Sequence, residues 1–313
     1  MNCYIVLDGG TTNTRLYLVQ KKTLDSQKIP VGSGNAENKE LLREAIRLGI
    51  EDLLNRNGMR QDDVHCVIAS GTITSELGLC LVPHICVPAG IAELHENMYR
   101  TQFPDISPIP FVFIPGIRVN SDNLMLADMM RGEETELFGL LEKPEADCLY
   151  VLPGSHNKLI AVDDRKKICS IRTMLTGEML AALSQYTILK AAVDMSNAQI
   201  QEESLLQGYA CCEKLGMNEA LFKVRVMKNL FAGTADAVYS YFLGIVLHGD
   251  VRNILSCDVK KVIVGGQNKM QDALVRLLKN KTSLPVIRVE QQQVQDSVVQ
   301  GAIRIYEYSP NEK

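Results

Sequence analysis

The stretch CYIVLDGGTTNTRLYLV, Cys3–Val19, decides how the rest of the chain is read. Tyr4–Leu7 is a short apolar run rich in strand formers, and Arg15–Val19 is a second. Between them Asp8-Gly9-Gly10-Thr11-Thr12-Asn13-Thr14 forms a polar turn with an acid at its first corner. The glycines let backbone N–H groups approach anionic oxygens, because no Cβ intervenes. Thr11, Thr12 and Asn13 add side-chain donors, and Asp8 stands where a carboxylate can hold Mg²⁺ through water. The pattern suits a nucleoside triphosphate. It is neither GxxxxGK[ST] nor GxGxxG, which both lead into a helix, whereas this turn leads into another strand. A hairpin whose loop merely contains glycine satisfies the same pattern, since such loops are abundant.

The chain has 313 residues, enough for two domains and a sizeable core. Apolar residues make up 46% and charged residues 22%, the balance of a soluble globular protein. A net charge of −4 gives no basic field for nucleic acid and no polybasic membrane patch. The nine cysteines contain no CxxC pair, so neither a zinc site nor a disulfide framework is expected. Cys3, Cys66, Cys148 and Cys257 lie in or beside apolar runs and read as small buried hydrophobes in a reducing cytosol. No apolar run is long enough to span a bilayer, and a strand begins almost at once, so the expected location is cytoplasmic.

Along the chain, Lys39–Arg56 reads as an amphipathic helix ended by Asn57-Gly58, and His65–Ser70 as a buried strand. Residues 80–118 are proline-rich and read as short strands and loops. Asp128–Leu141 reads as a helix with Leu137, Phe138 and Leu141 inside, and Glu142–Asp147, with Pro144, as a domain boundary. Leu149–Leu152, the turn Pro153-Gly154-Ser155-His156-Asn157-Lys158, and Leu159–Val162 then repeat the strand–turn–strand plan of the opening. Ile168–Met174 reads as a strand, and Thr176 as the N-cap of a helix running to about Ala192. Residues 198–255 read as helices broken at Gly216 and Gly233. Lys260–Val264 then leads through Gly265-Gly266-Gln267-Asn268 into a helix over Met270–Lys279. Pro285–Val289 reads as a late strand and Ser297–Tyr306 as a closing helix.

These residues resemble a family. Paired phosphate hairpins followed by strand–Gly-Gly–helix look like the actin, hexokinase and heat-shock-chaperone ATPase superfamily. More closely, DGGTTNTR, VPHICVPAG, MRGEETEL (Met130–Leu137), PGSHNK, RTMLTGE (Arg172–Glu178) and DSVVQGAIR (Asp296–Arg304) resemble the 2-dehydro-3-deoxygalactonokinases, also called 2-oxo-3-deoxygalactonate kinases. The runs occur in that family's order. Two departures stand out: Gly9 replaces the family's usual Trp, and GSHNKL replaces GTHSKW. The resemblance implies an α/β fold of two ribonuclease-H-like, actin-like ATPase domains, 1–146 and 147–313, with mixed sheets flanked by helices and the active site in the interdomain cleft. It implies MgATP-dependent phosphorylation of the 6-hydroxyl of 2-dehydro-3-deoxy-D-galactonate. The partners are then ATP and a small sugar acid, and a homodimer is compatible with the sequence.

On that resemblance Asp8 is assigned to Mg²⁺, and Gly10, Thr11, Thr12, Asn13, Gly154 and Ser155 to phosphate. Gly265 and Gly266 are assigned to the nucleoside, or else form only a tight strand-to-helix turn. His156 and Lys158 lie in a turn rather than on an apolar face, which points to nucleotide binding, although His156 could equally brace the loop. The base that accepts the hydroxyl proton must be a carboxylate within reach. Glu134 is preferred, with Asp128 and Glu133 as alternatives, and a helix dipole would favour glutamates there without any catalysis. Arg15, Arg131 and Arg172 are candidates for the substrate carboxylate, and Glu178 for a sugar hydroxyl. Competing readings are a kinase of another sugar, a non-catalytic sugar sensor, and an ATPase acting on protein partners.

Overall fold

The computed structural model describes residues 2–36, 38–140, 147–266 and 269–310. The chain divides into two units. One comprises Met1–Glu145, Asp164–Ile171 and Gln292–Lys313, and the other Ala146–Asp163 and Arg172–Gln291. The closing segment therefore belongs with the first unit, whereas the sequence reading assigned it to the second half. The expected boundary at Glu142–Asp147 lies, but for Asp147, outside the described residues.

In the first unit β1 (Tyr4–Gly9) and β2 (Thr14–Val19) form the opening hairpin, with Leu7 opposite Leu16 and Asp8 opposite Arg15. β3 (Thr23–Ile29) pairs with β2. Helix α1 (Lys39–Arg56) occupies the range its pattern predicts. Asn38 caps its start by accepting from the Leu41 N–H, and Leu42, Ile46, Ile50 and Leu53 are fully buried along one stripe. Each such side chain contributes about 1.5–3 kcal/mol relative to exposure. β4 (Cys66–Gly71) lies parallel to β1. The proline-rich segment then holds β5 (Ile85–Cys86), a short helix α2 (Ile91–Glu96) that the sequence reading missed, β6 (Tyr99–Phe103), β7 (Ser107–Phe113) and β8 (Ile117–Val119).

The expected helix over Asp128–Leu141 is instead two elements. β9 (Asp128–Met130) is a strand and α3 (Glu133–Leu140) is the helix. Gly132 separates them with φ +104, a left-handed conformation that a helix cannot contain. Asp128 therefore sits on a strand and not in the helix of the glutamates. The main sheet has the order β3-β2-β1-β4-β7-β6, and a small one the order β5-β8-β9.

In the second unit β10 (Cys148–Leu152) and β11 (Asn157–Val162) form the second hairpin. β12 (Ile168–Met174) has its residues 168–171 in the first unit and 172–174 in the second, and α4 (Thr176–Tyr186), α5 (Glu202–Leu215), α6 (Met217–Leu230), α7 (Ala235–Val246) and α8 (His248–Leu255) follow in the second. Helix α4 stops at Tyr186 rather than Ala192, and its N-cap is Leu175 rather than Thr176. β13 (Lys261–Val264), α9 (Lys269–Lys281) and β14 (Val286–Arg288) complete the unit, in which β10, β13 and β14 run parallel. The sheet order is β12-β11-β10-β13-β14. Each unit thus has a hairpin and two further strands parallel to the first strand of that hairpin. The chain ends in α10 (Gln291–Tyr306), six residues longer than its pattern predicts.

Helices α3 and α10 cross at glycines. A Cβ on Gly139 would lie 1.6 Å from the Ser297 carbonyl oxygen, and one on Gly301 would lie 1.8 Å from that of Thr135. Arg304 Nη1 then donates to the Phe138 carbonyl at 3.1 Å, near the end of α3.

Candidate active site

The first turn is built so that its carbonyls are used within the protein. The Gly10 and Thr11 carbonyls accept from the Ser33 and Gly34 N–H groups, and the Thr12 carbonyl accepts from Asn35 Nδ2. Gly32 permits this close approach, because a Cβ there would lie 2.4 Å from the Gly10 oxygen. Thr11 and Thr12 stay exposed. No backbone bond engages the N–H groups of Thr11, Thr12 and Asn13 among the described residues. Amides without a backbone partner beside satisfied carbonyls favour an anion.

Asp8 lies at the mouth of this turn, and Arg15 Nη1 donates to its Oδ2 at 3.2 Å. Burial raises the Asp8 pKa, and the Arg15 charge opposes the rise. Among the described residues no three His, Cys, Asp or Glu side chains are placed to hold a metal ion together.

Helix α3 sorts its glutamates by face. Glu134 is three and four residues before Leu137 and Phe138, both buried, and it is itself fully buried. Its Oε1 accepts from the Gly132 N–H at 2.7 Å, while Oε2 has no hydrogen-bond partner. Burial and the neighbouring Glu133 charge push its pKa up to about 8. Glu133 and Glu136 share a different face and are half-buried. Glu133 Oε2 accepts from the Arg131 N–H at 3.1 Å. Glu136 is also pushed up to about 8, by burial first and then by the Glu133 and Asp8 charges, which places it near Asp8. The sequence reading passed over Glu136, although its three-residue spacing from Glu133 put both on one face.

Arg131 is committed within the protein. Its Nη1 donates to Thr74 Oγ1 at 2.6 Å, and its Nη2 to the Val82 carbonyl at 2.8 Å and to His84 Nδ1 at 3.2 Å.

The second turn is braced by side chains. The Gly154 N–H donates to Asn157 Oδ1, and Asn157 Nδ2 donates to Asp250 Oδ1 at 2.7 Å. The Thr176 hydroxyl also bonds the Asp250 carboxylate, at 2.8 and 2.9 Å. Asp250, buried on α8, therefore ties the turn to the start of α4. Gly177 lets the two meet, since a Cβ there would lie 2.2 Å from the Gly154 oxygen. Outside this network His156 Nε2 lies 2.9 Å from Glu178 Oε1. Lys158 is buried, with Nζ donating to Thr173 Oγ1 at 2.9 Å, and Arg172 Nη1 donates to Ser256 Oγ at 3.0 Å.

A cavity of about 410 Å³ opens beside this turn. Gly154, Ser155 and Gly177 form one wall, while Leu180, Met195, Tyr239, Leu243 and Met270 provide apolar surface. Lys269 Nζ lies 5.4 Å from the Tyr239 ring centroid and donates to the Ser196 and Ala198 carbonyls. Gly265 and Gly266 stand behind the turn. The Gly265 N–H donates to the Val151 carbonyl, and Gly266, at φ +88, would bring a Cβ to 3.1 Å from Pro153. The sequence reading did not identify Asp250, Tyr239 or Lys269. All three reach this region from helices distant in sequence.

Solved structures share this architecture. A candidate 2-dehydro-3-deoxygalactonokinase from Sinorhizobium meliloti superposes with a TM-score of 0.80 at 20% identity, covering 96% of this chain and 97% of that one. The activator of 2-hydroxyisocaproyl-CoA dehydratase from Clostridium difficile, solved with bound ADPNP, gives 0.53 at 12% identity over 97% and 95%. Component A of (R)-2-hydroxyglutaryl-CoA dehydratase from Acidaminococcus fermentans gives 0.50 at 11% over the same shares. The comparison with curated proteins returned no match. The fold is the actin-like ATPase fold that the two hairpins imply. A family model for 2-keto-3-deoxy-galactonokinase matches residues 8–305, from Asp8 through the α3 glutamates and the Asp250 network into α10. With that family goes phosphotransfer to an alcohol group, and the chain belongs to the 2-keto-3-deoxy-galactonokinase family.

Proposed function

We propose that the protein transfers the γ-phosphoryl group of MgATP to the 6-hydroxyl of 2-dehydro-3-deoxy-D-galactonate, as a step in galactonate breakdown. The observation that carries this reading is the first turn, where amides without a backbone partner, an acid at the corner and the half-buried Glu136, on which the Asp8 charge acts, occur within one unit. Phosphoryl transfer needs charge neutralisation, alignment and exclusion of water more than covalent chemistry. The amides of Thr11, Thr12 and Asn13 suit phosphate oxygens. Asp8 would hold Mg²⁺, with phosphate and water completing its shell, which suits an ion that rarely takes an all-protein cage. That ion supplies charge neutralisation on the transferring group. In the second unit, Gly154 and Ser155 suit phosphate, and the apolar cavity beside them suits a nucleoside.

The face on which each glutamate lies supports Glu136 as the proton acceptor, with Glu133 beside it. A base has to reach the hydroxyl. Glu136 is half-buried, whereas Glu134 is fully enclosed and bonded to the Gly132 N–H. Glu134 then serves the bend that launches α3.

The test is a panel of 2-keto-3-deoxy acids, aldonic acids and hexoses with coupled detection of ADP. Turnover confined to 2-keto-3-deoxy acids supports the reading. Robust turnover of hexoses and none of acids would sink it, and ATP hydrolysis with no acceptor would favour an ATPase.

A further inference from the structure

One cluster of cations in the first unit has no use in the roles above. Strand alternation builds it. In the small sheet Cys86 pairs with Arg118, and Arg118 pairs with Met129, so these three side chains share a face. His84 lies two residues before Cys86, and Arg131 two residues after Met129, which carries them to the same side. The contacts agree, since Arg131 Nη2 lies 3.2 Å from His84 Nδ1 and the Arg118 charge acts on His84 as well. Ile117 and Met130, on the other face, are buried. Gly116 makes room for the pair. A Cβ there would lie 2.7 Å from both His84 Cδ2 and Arg131 Cγ.

The electrical state of this cluster is defined. A guanidinium only donates, so His84 Nδ1 must accept, and the ring proton sits on Nε2. Burial, with the Arg131 and Arg118 charges, depresses the His84 pKa to about 4, so the ring is neutral at physiological pH. The hydrogen-bond partners of the Arg131 guanidinium are a hydroxyl, a carbonyl and this imidazole, all uncharged. The charge that acts on it is that of Glu134, a group itself pushed toward the protonated form. Arg118 is exposed, and no carboxylate is hydrogen-bonded to either guanidinium among the described residues. Two guanidiniums and an imidazole donor without a counter-ion describe half of an anion site.

We propose that Arg118 and the His84 Nε2–H bind the carboxylate of the acceptor sugar acid, with Arg131 positioning His84 from behind. This assignment rests on the kinase reading above. In such a substrate the carboxylate and the reactive hydroxyl lie at opposite ends of one carbon chain. The protein carries a cationic group and the acids on one consecutive segment. Arg131 closes the cationic face, and the next residue, Gly132, leads into the helix of Glu133 and Glu136. Thr74, which holds Arg131, belongs to the turn after Gly71, and Gly71 packs on Gly9 beside Asp8.

The test uses the full chain and two acceptors, a 2-keto-3-deoxy sugar acid and its C1 carboxamide. Wild-type protein is expected to prefer the acid by on the order of 10²-fold in kcat/KM, because a charge-matched site discriminates strongly against a neutral analogue. Arg118→Gln is expected to raise KM for the acid by a similar factor, to leave KM for ATP within about twofold, and to abolish the preference over the amide. Arg118→Lys should restore part of the preference, since charge returns without the planar fork. The inference fails if wild type turns over the acid and Arg118→Gln keeps the preference. It also fails if the variant raises KM for ATP instead, since the anion would then be a nucleotide phosphate. Wild-type protein that phosphorylates neutral sugars and ignores acids refutes the functional reading, and the subsite with it, before any variant is made.

Discussion

Replacing Gly139 by alanine should uncouple the acid-bearing helix from its support. The added Cβ would sit 1.6 Å from the Ser297 carbonyl oxygen, whereas real Cβ contacts rarely fall below about 3.4 Å. The two helix backbones must therefore part by on the order of 1.8 Å, because no flexible side chain is present to give way. Overpacking of this kind costs about 1–3 kcal/mol, and a backbone-to-backbone clash belongs at or above the upper end. Alanine's better helix propensity offsets about 1 kcal/mol of that. The larger effect should be on rate. Helix α3 also carries Glu133 and Glu136, and a displacement of about 1 Å in catalytic geometry can cost on the order of 10²-fold. Urea unfolding and initial rates on the same preparation measure both. Gly249→Ala provides the control. That glycine lies in α8, is exposed, and has nothing within 4 Å of the added Cβ, so the change should leave turnover intact and stability equal or slightly higher. If Gly139→Ala matches Gly249→Ala in both stability and rate, the α3–α10 contact does not position the acids.

Two further predictions separate the glutamates. Glu136→Gln should lower kcat by on the order of 10²–10⁴-fold with little change in KM for ATP; an effect confined to acceptor KM would move the base elsewhere. Glu134→Gln should change the pH dependence of stability. The folded pKa of Glu134 is raised to about 8 from the ordinary value near 4.5, so in that window the unfolded chain binds fewer protons and wild-type stability falls as pH rises. The glutamine variant lacks this slope. Stability of the variant minus that of wild type should therefore climb by on the order of 3–5 kcal/mol from pH 4.5 to 8 and then level off. Glu136 titrates in both proteins and largely cancels from the difference. Parallel stability curves across this range would show that Glu134 ionises as freely as an exposed carboxylate.

Local signals carried much of the fold. The periodicity and caps of α1 set both of its ends, and each hairpin announced itself by an apolar run, a glycine turn and a second run. The errors share a physical origin in residues whose conformation is decided by something not local. Helical spacing over 128–141 concealed the break at Gly132, although a glycine before three acids is itself a boundary signal. Glu134 drew notice because it is charged, but its spacing to Leu137 and Phe138 puts it inside. Asp250, Tyr239 and Lys269 offer no local pattern that separates them from ordinary helix residues. The Asp250 bond to Asn157 spans 93 residues of sequence, and only the folded sheet brings the two together.

The two turns share a topology and differ in what holds them. Backbone donors from 33 and 34, with one asparagine, secure the first, and its tightest requirement is a single glycine at 32. Such a turn keeps its shape without side-chain bonds from Thr11, so Thr11 and Thr12 stay exposed. The second depends on Asn157, Asp250 and Thr176 together, a buried network in which each polar group is satisfied by another. Removing one member of such a network leaves the others desolvated and unpaired, which costs more than the bond itself. The second turn is therefore constrained at positions that do not touch its own mouth. A residue such as Asn157 that looks like part of the ligand-facing loop is spent on the scaffold, while Ser155 is left exposed beside the cavity. That division of labour accounts for why the repeat is clear in strand order and faint in residue identity.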